Sequence, residues 1–149
     1  MINDVELEGL SEKECLDLLR ETSVGRIAFV VDDFPVALPV NYRVLERDDR
    51  VWILLRTEPG NVIDEAPLRV AFQIDGVDYY RRGGWSVLVR GTLRHLDAAE
   101  IAEARATADP DPWVEHNRDA WLVVDPVAVT GRRLGATELE WAFHLRAYL

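Results

Sequence analysis

The stretch VGRIAFVVDDFPVALPVNYRVLERDDRVWILLRT, residues Val24–Thr57, decides the fold. Runs rich in Val, Ile, Leu and Phe are cut by two short acidic turns, Asp32-Asp33-Phe34 and Glu46-Arg47-Asp48-Asp49. Turns this short join antiparallel neighbours, so Gly25–Val31, Pro35–Leu45 and Arg50–Thr57 read as a β-meander. Pro35 and Pro39 lack the N–H that a ladder uses, which places the middle strand at a sheet edge or on a bulge.

Working outward, Leu10-Ser11-Glu12-Lys13-Glu14 is a helix start: Ser11 caps, Glu14 completes a capping box and Leu10 is the staple residue. The helix is expected over 11–21, with Cys15, Leu16, Leu18 and Leu19 on its apolar side. After the meander, Glu58-Pro59-Gly60-Asn61 turns into a short helix at Val62–Ala66, stopped by Pro67. Leu68–Ile74 reads as a strand, Gly76–Gly84 as a loop carrying Tyr79, Tyr80, Arg81 and Arg82, and Trp85–Leu96 as a strand with alternating faces, which ends a barrel core at 25–96. Asp97 caps a helix over 97–107, which Pro110 and Pro112 end. Ala120–Val124 and Ala128–Arg133 are closing strands within 120–134. In the tail at 135–149, Leu139, Trp141, Phe143 and Leu145 alternate with polar or small residues, favouring a strand over a terminal helix. The expectation is one domain over 1–149, mainly β with peripheral helices: a small barrel or sandwich of about six strands.

Composition narrows the partners. The 149 residues carry 27 acidic against 17 basic side chains, a net charge of −10. Duplex nucleic acid and anionic membranes both need a cationic face, so neither is expected as a partner. No apolar run is long enough to span a bilayer. The acidic start Met1-Ile2-Asn3-Asp4-Val5-Glu6 lacks the apolar region of a secretory signal, and the single Cys15 cannot form an internal disulfide. A cytoplasmic setting is expected.

Most familiar chemistries are missing from the chain. His95, His116 and His144 are far apart and there is no cysteine pair, so no metal site is expected. There is no nucleophile elbow, Walker loop or Gly-x-Gly-x-x-Gly turn. The basic residues are sixteen Arg and one Lys, Lys13. Arginine does not form a Schiff base, but its planar fork grips phosphate with two prongs. Arg56-Thr57 closes a strand and Pro59-Gly60-Asn61 opens a short helix, which gathers a guanidinium, a hydroxyl and backbone N–H donors into a candidate phosphate cradle. The competing reading is an ordinary strand–turn–helix join.

The ordered set VGRIAFVVDDFPVALPVNYRV, VWILLRTEPGN, LRVAFQID and GWSVLVRGTLRHL, with VTGRRL at Val129–Leu134, resembles the pyridoxamine 5′-phosphate oxidase-like, FMN-binding split-barrel family. The likeness runs from about Leu10 to Leu96, and is nearer to the small actinobacterial flavin and deazaflavin proteins and the nitroimidazole-reductase-like branch than to the vitamin-pathway oxidase. It implies a six-stranded antiparallel split β-barrel that forms a homodimer, with cofactor sites at the subunit interface. Pro39, Val40, Asn41 and Tyr42 match the strand beneath the flavin ring, Tyr42 being the polar side chain expected nearest it. Arg56 and Thr57 match the strand-end pair that holds the phosphate, and Gly60 and Asn61 the turn that completes that site. Trp85 and Ser86 match the strand that lends ring contacts, although a tryptophan heading an alternating strand is also an ordinary core residue. Many relatives carry a Lys just after the turn glycine; here Asn61 and Val62 stand there.

The resemblance thus implies an FMN-dependent oxidoreductase acting on a small organic molecule. Three alternatives stay open. One is a reductase using the deazaflavin coenzyme F-420. Another is a non-catalytic flavin-binding or sensor protein, with or without its cofactor. The last is an interaction subunit that uses Trp113, Trp121 and Trp141 as contact surface.

Overall fold

The two acidic turns of the meander fold as two-residue hairpin loops. Asp32 and Asp33 have φ of 49° and 65°, and Asp48 and Asp49 have φ of 50° and 61°. Positive φ at both central residues matches the right-handed twist of the strands that flank such a turn, and Asp tolerates this region better than most side chains. Each turn therefore fixes a register, with Val31 opposite Phe34 and Arg47 opposite Arg50.

A computed structural model describes residues 7–111, 113 and 119–135. Its strands are β1 (Leu7–Gly9), β2 (Val24–Val31), β3 (Phe34–Arg47), β4 (Arg50–Thr57), β5 (Leu68–Asp78), β6 (Gly83–His95) and β7 (Ala120–Leu134), and its helices α1 (Glu12–Glu21) and α2 (Ala98–Thr107). All pairings are antiparallel in the order β1-β7-β4-β3-β2-β5-β6, and β7 also pairs with β6. The second pairing closes β2 to β7 into a six-stranded ring, the split barrel expected from the sequence. The short β1 is a seventh strand that the sequence reading did not foresee, laid on the end of β7 at Arg132–Leu134.

Three further details differ from expectation. The loop at Gly76–Gly84 shrinks to the turn Tyr79–Arg82, because β5 and β6 stay paired out to Asp78 and Gly83. The two closing strands are one strand, since β7 passes Pro126 on a bulge: Arg90 faces Ala128 and Gly91 faces Pro126, leaving Val127 unpaired. Gly91 permits the close approach there, as a Cβ would lie 2.2 Å from the Asp125 carbonyl oxygen. The short helix is a single 3-10 turn, Val62–Glu65. The proposed tail strand lies outside the described residues.

The helix starts follow their capping signals. Ser11 and Asp97 each accept from the backbone of the residue three positions on, and Glu14 and Glu100 return the bond. Burial then divides by strand parity. Ile53, Leu55, Leu122 and Val124 point inward with Ile27, Tyr42, Phe72, Val87 and Val89, where Cys15 and Leu19 of α1 join them. Trp52, Leu54, Trp121 and Val123 point outward, and α2 and its C-cap residue cover them with Ile101, Ala104 and Ala108. Both faces of Trp52–Leu55 in β4 and of Ala120–Val124 in β7 are therefore covered, which is why these stretches run as unbroken apolar blocks. Trp52 and Trp121 serve this outer core and are 8% and 2% exposed, so Trp121 is not the contact surface that the sequence allowed.

Leu122→Ala is expected to cost about 2–5 kcal/mol of folding free energy, because the side chain is fully buried in the barrel. Val30→Ala, on the exposed hairpin, should stay within about 0.5 kcal/mol of wild type. Urea denaturation of both variants checks the inside–outside assignment.

Candidate functional site: the split between β3 and β4

β3 changes partner midway. Residues 34–41 pair with β2, whereas Tyr42–Arg47 pair with β4. The β3–β4 ladder ends at Tyr42 opposite Leu55, and beyond it β4 keeps only the β7 pairing that began at Ile53, Arg56 facing Trp121 and Thr57 facing Ala120. Asn41 and Arg56 thus flank the point where the two strands part.

The prolines lie on the open side of this split. The Tyr42 N–H donates to the Ser23 carbonyl, 2.9 Å, so even-numbered amides of this half-strand face β2. By alternation the odd positions, Pro35, Ala37, Pro39 and Asn41, turn their backbone groups to the other edge, which pairs with no strand among the described residues. A missing N–H costs no ladder bond there, so the edge placement expected for the prolines holds in this half of β3.

At the strand end, Arg56 is 19% exposed and stacks over the Trp121 ring at 4.5 Å. Its Nη1 donates to both carboxylate oxygens of Asp109, at 3.0 and 3.3 Å. Thr57 beside it is 1% exposed. Gly60 adopts φ +84°, and its N–H donates to Asp64 Oδ2 at 2.8 Å. Asn61 caps the 3-10 turn, its Oδ1 accepting from Ile63 N. The Asn41 Oδ1 accepts from the Trp113 backbone N–H at 3.2 Å. Guanidinium, turn amide and side-chain amide therefore gather near the split, but acidic or backbone groups of the same chain already hold them. Asp109 and Trp113 were not among the residues picked out as site components; the acidic surplus was the only signal for Asp109, and it does not say which carboxylates meet which donors.

Other sequence-chosen residues lie elsewhere. Pro39 is exposed and Val40 half-buried on the open half of β3. Tyr42 is fully buried at the next position, its hydroxyl donating to the Leu19 carbonyl at 2.8 Å and meeting the Thr22 hydroxyl. It ties α1 to the barrel, and burial pushes its phenol up to about 12. Trp85 is 6% exposed within the inner core. It and the half-buried Ser86 line an open cleft of about 500 Å³ with Arg82 and Arg132, and this cleft includes none of Pro39, Asn41, Arg56 or Gly60. Within one chain the sequence-chosen residues thus form two separate groups. Among the described residues no three or more His, Cys, Asp or Glu side chains gather as a metal site, and no helix is long and apolar enough to cross a membrane.

The family model for pyridoxamine 5′-phosphate oxidase matches residues 11–133. This chain belongs to that family. A curated relative, an uncharacterized protein of Mycobacterium tuberculosis, is 31% identical over 139 residues, covering 88% of each chain. Among solved structures, the FAD binding protein from Mycobacterium smegmatis is 34% identical, with a TM-score of 0.68 over 86% of this chain and 98% of its own. A FAD-binding protein from Mesorhizobium loti, 21% identical, shares the fold with a TM-score of 0.64, over 89% of this chain and 99% of its own. The oxidase-family match takes in β2 to β6, the split and all but the last residue of β7.

Tyr42→Phe tests whether this tyrosine belongs to the framework. Removing the hydroxyl leaves the Leu19 carbonyl short of a donor, at a cost of about 1–3 kcal/mol. In the wild type, Tyr42 keeps its proton in the folded state at pH values where the unfolded chain has lost it. Its contribution is therefore present below the ordinary value of 10.0 and drains away as pH rises from there to about 12. Denaturation midpoints across this range should fall less steeply in Tyr42→Phe than in wild type.

Proposed function

We propose that this chain binds a flavin through its riboflavin 5′-phosphate portion, with FMN as the ligand, and works as an oxidoreductase on a small organic molecule. The single observation that carries the reading is Arg56: a half-buried guanidinium, aimed by stacking on Trp121, at the point where β3 and β4 part. The family match and the 34% identical FAD binding protein of M. smegmatis support a flavin at this split.

The donor set suits a phosphorylated flavin. Arg56 would hold the phosphate by charge-assisted hydrogen bonds, next to Thr57 and the Gly60–Asn61 turn. The outward backbone groups of Pro39 and Asn41 and the Asn41 side chain would meet the polar edge of the ring. A bound flavin supplies the electron-transfer chemistry; the chain's part is to bind, orient and exclude water. The Tyr42 hydroxyl, committed to Leu19, takes no part in proton transfer in this reading.

The separation of Trp85 and Ser86 from the split supports a two-chain site, in which the β5–β6 end of one protomer faces the split of its partner. Exposed apolar side chains on the hairpin ends, Val30, Phe34 and Val77, are suited to such a homodimer.

The absorbance spectrum of freshly purified protein tests the cofactor. Flavin bands are expected, and mass measurement of the heat-released compound separates FMN from FAD; the shorter-wavelength band of a deazaflavin would overturn the flavin assignment. Arg56→Ala should weaken FMN by about 1.5–3 kcal/mol while leaving riboflavin unchanged. Light scattering at micromolar concentration should give a dimer, and a monomeric mass would remove the two-chain site.

A further inference from the structure

The segment after α2 crosses the split and is fastened on both sides of it. At one end Asp109 binds Arg56 of β4, and at the other the Trp113 N–H binds Asn41 of β3. Between them Pro110 is buried and Asp111 sits at φ +47°, a left-handed turn whose N–H donates to Asp109 Oδ1 at 3.1 Å. One carboxylate oxygen thus serves two purposes: it neutralises the guanidinium and it fixes the bend of the segment.

We infer that Asp109 is an internal competitor for Arg56, and that the phosphate of a flavin enters the split only by displacing this carboxylate. The inference rests on the reading of Arg56 as the flavin phosphate donor.

Three features of the geometry support displacement. Asp109 is far from Arg56 in the chain and lies on an irregular segment, its side chain 38% exposed, so it can leave without disturbing the β4–β7 ladder. The guanidinium keeps a support of its own, the Trp121 ring at 4.5 Å, and stays aimed when the carboxylate departs. A phosphomonoester carries more negative charge than a carboxylate and offers three acceptor oxygens, so the exchange favours the phosphate on Arg56. Asp64 differs in kind. Its Oδ2 accepts from Gly60 N within one turn and its Oδ1 lies 3.4 Å from His95 Nε2, so it shapes the local backbone and ties that turn to β6.

Displacement subtracts the Arg56–Asp109 pair from the affinity for every phosphate-bearing flavin and leaves riboflavin untouched. Asp109 therefore sets how strongly the site prefers a phosphorylated flavin over a bare one. The amide of Asp111 loses its acceptor when Asp109 leaves, which couples phosphate binding to loosening of the segment.

The test titrates FMN and riboflavin into wild type, Asp109→Asn and Asp109→Ala. Asn removes the charge but keeps an acceptor for Asp111 N; Ala removes both. FMN should bind both variants about fivefold to thirtyfold more tightly than wild type, with riboflavin unchanged. In the wild type, FMN but not riboflavin should speed hydrogen exchange at Asp111 and Trp113. FMN binding that is unchanged or weaker in both variants, while the wild type still binds it, overturns the inference and leaves the flavin reading standing. Absence of binding of either compound to all three proteins defeats the flavin reading and this inference together.

Discussion

β3 is longer than the partner available to either half of it, and the molecule is organised around that mismatch. Fourteen residues leave one hairpin turn and enter another, paired first with β2 and then with β4. Continuous pairing of both neighbours along the whole strand would close the sheet and leave no backbone free. Instead the strands part at Asn41 and Arg56, and the two prolines keep the released edge from being zipped up, because neither can donate to a further strand. The opening is therefore a property of the hydrogen-bond ladder, and the side chains at the split take their positions from it.

What keeps the opening in place is packing on the two covered strands. β4 and β7 have one face in the barrel core and the other under α2, so the side of the split that carries Arg56 is anchored from both directions. α2 is itself bound to β6 through Arg94 and Glu100, whose bidentate contact, at 3.0 and 2.8 Å, holds the Glu100 carboxyl down to about 2. That pair gives its full contribution above the ordinary carboxylate value of 4.5 and loses it as pH falls toward about 2. The segment that reaches across the split starts from this firmly held helix.

The acidic surplus has a specific consequence here. Several arginines are already committed to carboxylates: Arg26 to Asp75, Arg50 to Asp125, Arg56 to Asp109 and Arg133 to Glu14. The well-exposed members of this set contribute little to stability. Arg56 and Arg133 differ, at 19% and 16% exposed, and at Arg56 the partner limits what else the guanidinium can hold. In a protein of net charge −10, an anion drawn to Arg56 would compete with the chain's own carboxylates.

The local sequence determined the elements. Paired aspartates between apolar runs dictated two-residue hairpins, Ser11 with Glu14 and Asp97 with Glu100 dictated helix starts, and Pro35 and Pro39 placed half of one strand on an open edge. These features depend on residues within about five positions of each other, where propensity and capping act directly. Other assignments needed contacts across tens of residues. Tyr42 and Trp85 went to the core and Trp121 beneath α2 because strand parity is converted into inside and outside only when the ring closes. The merging of two expected strands into β7 depended on Gly91 of another strand admitting the Pro126 bulge. The pairing of Arg56 with Asp109, and of Asn41 with Trp113, joins positions more than fifty residues apart that show no periodicity or motif. The sequence could state that arginine and acid were plentiful; only the packing of α2 against β4 and β7 decided which acid meets the arginine at the split.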